Sequence, residues 1–175
     1  VTRVSLLDVP QIQQCILYLN LAHYRNAKKS GGEHEWWSIF HFYKISHEDI
    51  ALIGNEIKKA REVSCLSEDL LNNLRKRKIS EQTKRIIEVI EKNLLEIQDM
   101  IKQGKSILEL IDKIHSFNVK EITKENIANY EEFKKWVENY TKIDGQDLSD
   151  FLYHIRIMKK LGIFVEAARN EQEGV

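Results

Sequence analysis

The sequence predicts a mainly α protein: a helical bundle built on one long helix or helical hairpin, followed by a small C-terminal unit that adds a little β structure. Three observations predict it. Residues 80–117 carry an apolar heptad whose a positions are Ile87, Leu94, Ile101, Leu108 and His115 and whose d positions are Ile90, Ile97, Gly104 and Ile111. Seven of these nine are large aliphatics, spaced alternately three and four apart, which keeps one stripe on one helix face. The 175-residue chain has only one Pro and seven Gly, which suits long helices with short connections. Its apolar content of 42% is enough to fill a core.

The elements follow in order. Pro10 suits the first turn of a helix, and Ile12, Ile16, Leu19, His23 and Ala27 continue it toward Ser30-Gly31-Gly32. Residues 33–45 have the aromatic density of a strand, but Trp36, Ile39, Phe40 and Tyr43 share a helical face and the neighbours are helical, so a helix is expected. Ser46 with Asp49 resembles a capping box before Ile50, Ile53, Ile57 and Ala60. Ser67 caps a short helix with Leu70, Leu71 and Leu74. Ser80 then caps the long helix, roughly 55 Å if unbroken. Gly104-Lys105 is its weak point, because Gly costs about 1 kcal/mol in a helix interior.

Thr123 or Asn126 opens a helix with Ile127, Tyr130, Phe133, Val137 and Tyr140, and Asp144-Gly145 is a turn. In the last segment Leu148, Leu152, Ile155, Met158 and Leu161 mark a buried face, and Gly162 is a natural C-cap. Ile163, Phe164 and Val165 then read as a β-strand before a polar turn at Asn170–Gly174. Two domains are expected, 1–118 as helical bundle and 123–175 as the C-terminal unit. The heptad is cleanest from Ile87 to Ile101, so it reads as the spine of an intramolecular bundle, with pairing to a protein partner or second copy as the alternative use.

Charge narrows the function classes. Lys and Arg number 27, and so do Asp and Glu, so no global attraction to nucleic acid exists. The charges are locally uneven: Arg75, Lys76, Arg77, Lys78, Lys84 and Arg85 face only Glu81 across residues 75–85. That run either binds phosphates or is a solvated helix junction. Cys15 and Cys65 form no C-x-x-C pair, which points to buried thiols in a reducing, intracellular compartment, cytoplasmic or nucleoid/nuclear. No stretch approaches ~20 consecutive apolar residues, so no membrane span is expected, and residues 1–24 lack signal-peptide order. A start at Val1 rather than Met suits a fragment or a processed form.

The C-terminal third resembles a known family. Leu148-Ser149, then an amphipathic helix, then Leu161-Gly162-Ile163 with Val165-Glu166 looks like the recognition helix and wing of a winged helix-turn-helix domain of the bacterial and archaeal regulator type. Tyr130–Tyr140 would be the first helix of the pair. The resemblance covers about 45 residues and is moderately specific, since any amphipathic helix capped by Leu-Gly-Ile meets part of it. It implies an outer face carrying Gln146, Ser149, Tyr153, His154, Arg156 and Lys160. Arg and Lys there would bind phosphate, and Gln or Ser would reach base edges. Asp147 and Asp150 at the helix start would instead repel phosphates. Many winged helices bind proteins.

Two other constellations bear on chemistry. His23, His34, His41 and His47 lie beside Glu33, Glu35, Glu48 and Asp49, but no H-x-x-x-H, H-E-x-x-H or E-x-x-H brings two ligands to one helical turn, so no metal site is assigned. Trp36, Trp37, Phe40, Phe42 and Tyr43 form either an exposed stacking surface or an aromatic wedge in the core. Phosphate-loop, dinucleotide and G-x-S-x-G motifs are missing. The expectation is a non-enzymatic, cofactor-free nucleic-acid-associated protein, such as a transcription or replication accessory factor. The alternatives are a helical interaction module, or third, a metal-dependent enzyme using the His23–His47 cluster.

Overall fold

The computed structural model describes residues 4–28, 32–60, 74, 76, 78–117 and 123–167. Among them are seven α-helices and no strand. They are α1 (Pro10–Ala27), α2 (Glu33–Phe42), α3 (His47–Ala60), α4 (Glu81–Lys102), α5 (Ile107–Ser116), α6 (Lys124–Asp144) and α7 (Leu148–Lys160). A short 3-10 turn, Leu6–Asp8, precedes α1. The chain divides into two compact units, residues 17–102 and residues 1–16 with 103–175. Apart from Leu74, which is buried, the expected helix after Ser67 lies outside the described residues, as do the polar turn at Asn170–Gly174, Arg75, Arg77 and Cys65. No helix among the described residues is long and apolar enough to cross a membrane.

Of the two expected forms of residues 80–117, one long helix or a hairpin of two, the chain takes two helices, broken at the expected weak point Gly104-Lys105. α4 stops at Lys102, and Gly104 takes φ +73°, a left-handed conformation that costs a side chain with a Cβ about 1–2 kcal/mol. α5 then starts on a full capping box. The Ser106 Oγ accepts from the Glu109 N–H at 3.2 Å, and the Glu109 carboxylate accepts from the Ser106 N–H at 2.7 Å. The break resets the helical phase. In α4 the stripe Ile87, Ile90, Leu94 and Ile97 is buried as the heptad requires. In α5 the buried residues are Ile107, Leu110, Ile111 and Ile114, so Leu108 and His115 fall to the half-buried edge.

In the unit of residues 17–102, α4 is tied to the other helices by polar contacts set around its apolar stripe. Each buried Ile or Leu of that stripe contributes about 1.5–3 kcal/mol. Tyr18, fully buried, shares a 2.7 Å hydroxyl contact with Tyr43 and accepts from Asn93 Nδ2 at 3.0 Å. Arg25 grips both carboxylate oxygens of Glu91 at 2.9 and 2.6 Å, with its guanidinium over the Trp36 ring. Asn26 and Gln98 exchange two hydrogen bonds.

Asp49 closes the far end of α4. Its backbone N–H donates to Ser46 Oγ at 3.2 Å, the N-cap half of the expected box. Its carboxylate accepts from Ser80 Oγ at 2.7 Å and Thr83 Oγ1 at 2.6 Å. An anion thereby sits at the positive end of α4. Burial alone would raise this carboxyl, but the hydrogen bonds from Thr83, Ser80 and Ser46 together outweigh it and hold the group below its ordinary range.

In the other unit, Leu6, Leu7, Ile12 and Cys15 are buried, as are the apolar faces of α5, α6 and α7. Burial pushes the Cys15 thiol far up, so it behaves as an inert small apolar group. The His115 ring stacks on Tyr130 at 3.8 Å, and Lys134 of α6 reaches Asp112 of α5 at 3.4 Å. Tyr130 donates its hydroxyl to the Gln11 carbonyl at 3.3 Å. The expected strand at Ile163–Val165 is not formed. Those residues are irregular, and the segment makes one antiparallel bridge, Ser5 with Glu166, backed by a 2.7 Å bond from the Leu6 N–H to the Val165 carbonyl.

Two measurements check these assignments. Gly104→Ala is expected to destabilise the protein by about 1–2 kcal/mol in urea unfolding, because a left-handed residue gains a Cβ; a continuous helix would instead gain about 1 kcal/mol. Asp49→Ala is expected to cost about 2–4 kcal/mol at neutral pH. Since the folded pKa lies below the unfolded one, this difference is full above about pH 4 and shrinks as pH falls through the lowered value. A difference that stays constant on acidification would sink the Asp49 assignment.

Candidate functional site

α7 and the turns that flank it carry the outer residues expected of the C-terminal unit. Thr123 caps α6, accepting from the Asn126 N–H at 3.1 Å. α6 starts at the expected cap and runs on past Tyr140 to Asp144. Gly145, at φ +90°, then turns the chain, and only Gly145, Gln146 and Asp147 separate α6 from α7. Asp147 is the N-cap of α7: its carboxylate accepts from the Asp150 N–H at 2.9 Å. Asp150 lies in the first turn, where the helix dipole favours a negative charge. The two acids that would repel phosphates thus have a local reason to be there.

α7 ends in a Schellman motif. Gly162, at φ +66°, donates to the Lys159 carbonyl at 3.1 Å, and Ile163 donates to the Met158 carbonyl at 2.9 Å. The motif ends the helix just after Leu161, whose own N–H still donates to the Ile157 carbonyl at 2.9 Å. Leu161, expected to be buried, is 68% exposed. Phe151, Leu152, Ile155 and Met158 form the inner face.

Four of the expected outer residues, Ser149, Tyr153, Arg156 and Lys160, are exposed and recur at helical spacing as one stripe. Two others are placed differently. Gln146 lies in the turn before α7, and its Oε1 accepts from the Ile107 N–H at 3.2 Å, capping α5. His154 is exposed, but its ring leans on Tyr140 at 4.9 Å and Trp136 at 6.0 Å. Tyr140 also meets Phe151 at 5.3 Å. Burial first, and then the nearby carboxylates of Asp144, Asp150 and Asp147, push the Tyr140 phenol up, so it stays a neutral hydroxyl.

The basic run belongs to the unit of residues 17–102. Lys76, Lys78 and Arg85 are exposed, while Lys84 is half-buried and pairs with Glu81 at 3.2 Å. The aromatic block is mostly a core wedge: Trp36 and Phe40 are buried, and Trp37, Phe42 and Tyr43 half-buried. Of the histidines, His41 and His47 have ring centres 6.3 Å apart, His34 is exposed and His23 packs beside Tyr24. Among the described residues no three His, Cys, Asp or Glu side chains come together as a metal would need.

The sequence reading missed the Ser106-x-x-Glu109 box, whose signal was legible, and the Asp49–Ser80–Thr83 cluster, which pairs residues 31 and 34 positions apart and had no local signal. No protein-family model, curated protein or solved structure matches the chain.

Asp147→Ala is expected to lower stability by about 1 kcal/mol through loss of the cap, and to leave the secondary structure content unchanged. Thermal unfolding followed by circular dichroism measures it. An unchanged midpoint would show that Asp147 is not a structural cap.

Proposed function

We propose that the protein is a non-enzymatic helical interaction module that binds another protein through the solvent side of α7 and its flanking turns. One observation carries this reading. Among the described residues ten large hydrophobics are exposed, and five of them, Ile143, Tyr153, Leu161, Ile163 and Phe164, fall between 143 and 164. Isolated exposed apolar residues are ordinary, whereas a concentration of them suits a contact surface. The balance of charge, 27 of each sign, also suits a protein partner better than a polyanion.

The test is a photo-crosslinking residue placed in turn at Tyr153, Leu161 and, as a control, Lys135 on α6. Discrete protein adducts at 153 and 161 but not at 135 are expected. Adducts of equal yield at all three positions, or at none, would rule the surface out.

A second reading is nucleic-acid association, favoured by the stripe Ser149, Tyr153, Arg156 and Lys160 and by the winged-helix resemblance. The three-residue turn containing Gly145 suits a helix-turn-helix. Exposed Lys76, Lys78 and Arg85 give the unit of residues 17–102 a phosphate-binding patch of its own on this reading. Gel shift against random duplex and single strands in about 50 mM salt decides it: affinity that falls steeply with salt, and about tenfold with Arg156→Glu, is expected on this reading. No retardation at micromolar protein removes it.

A further inference from the structure

We propose that the solvent face of α7 pairs antiparallel with the same face of a second copy of the chain. The inference rests on the interaction reading above and names its partner. Asp150, Tyr153, Ile157 and Lys160 span an arc of about 80° on α7 at 3.6 residues per turn, opposite Phe151, Leu152, Ile155 and Met158. Tyr153 is 61% exposed, Ile157 is half-buried, and Asp150 and Lys160 are exposed. The face therefore reads acid, aromatic, aliphatic, base along the helix.

That order is its own complement on reversal. In an antiparallel pair centred at the level of Ile155, Asp150 meets the second copy's Lys160 and Tyr153 meets the second copy's Ile157. The two-fold axis repeats both contacts. The wider charge gradient agrees: Asp147 and Asp150 begin the helix, and Arg156, Lys159 and Lys160 end it. Antiparallel alignment also opposes the two helix dipoles favourably. A parallel pair would set acid against acid and base against base, so orientation follows from charge.

Sedimentation equilibrium and light scattering over a concentration series test the pairing. The wild-type chain is expected to dimerise with a dissociation constant on the order of 10 µM, as suits a small transient interface. Asp150→Lys and Lys160→Asp each place like charges opposite at both ends and are expected to be monomeric, with unchanged circular dichroism. An equimolar mixture of the two is expected to form a heterodimer, because every pair is then opposite in sign. The double variant Asp150→Lys/Lys160→Asp is expected to regain self-association. This rescue separates pairing from misfolding of either single variant.

A monomeric wild type up to about 200 µM overturns the inference, as does a dimer that both single variants leave intact or a mixture that fails to associate. A monomer whose position 153 crosslinks to a different protein overturns it while leaving the interaction reading in place. No dimer and no crosslink removes both. Stoichiometric binding of duplex by the monomer, lost in Tyr153→Ala and Lys160→Asp, would assign this face to nucleic acid and overturn it too.

Discussion

The backbone at Gly104 governs how the longest apolar stripe in this chain is used. A helix that ran unbroken from Ser80 to Phe117 would carry its heptad on one continuous line. The left-handed turn at Gly104 and the capping box at Ser106 and Glu109 divide that line and restart it one register away. α4 then serves the unit of residues 17–102, and α5 serves the unit that includes α6 and α7. Satisfied backbone groups make the interruption cheap. The Ser106 N–H and the Glu109 N–H, which a helix start would leave without partners, are taken up by side chains three residues away.

Around α4, apolar burial is combined with a small number of directional contacts. Tyr18 and Asn93, Arg25 and Glu91, and Asp49 with Ser80 and Thr83 link positions far apart in sequence. Such groups are costly when buried without partners and therefore restrict the ways the apolar stripe can pack. The Asp49 carboxylate shows the balance directly: desolvation opposes its charge, and the hydrogen bonds from Thr83, Ser80 and Ser46 together outweigh that opposition. The same logic explains why the aromatic block became interior. Tyr43 shares a hydrogen bond with Tyr18, and Trp36 lies under Arg25, so both rings are used inside the unit of residues 17–102.

α7 has the opposite character. Its inner face is packed, its start and end are tightly capped, and its outer face keeps Tyr153 and, just past the end, Leu161 in water. A helix fixed at both termini presents side chains with little ordering cost on binding, which suits recognition. Its charges segregate by end for reasons of helix stability, acids in the first turn and lysines in the last. That segregation gives the face a polarity, acidic at its start and basic at its end.

Much of this was legible in the sequence because it depends on local periodicity. The Ile87–Ile97 stripe, the Thr123 cap, the Gly145 turn, the inner face of α7 and the Gly162 stop all follow from spacing and from residue-specific backbone preference. The outer stripe Ser149, Tyr153, Arg156 and Lys160 was legible for the same reason. Gln146 was not, because its role as a cap for α5 requires residue 107 to be nearby, and sequence spacing carries no information about that. Leu161 and the expected strand at Ile163–Val165 were misread because apolar character alone does not say where a helix stops or whether an extended segment finds a partner; here Ser5, 160 residues from Val165, supplies the contact. The sequence by itself determined the helices, their inner faces and most of their caps, since these arise from interactions within a few residues. Only the tertiary structure decided which polar groups meet across helices and which apolar residues stay in water, since both depend on contacts between segments that are distant along the chain.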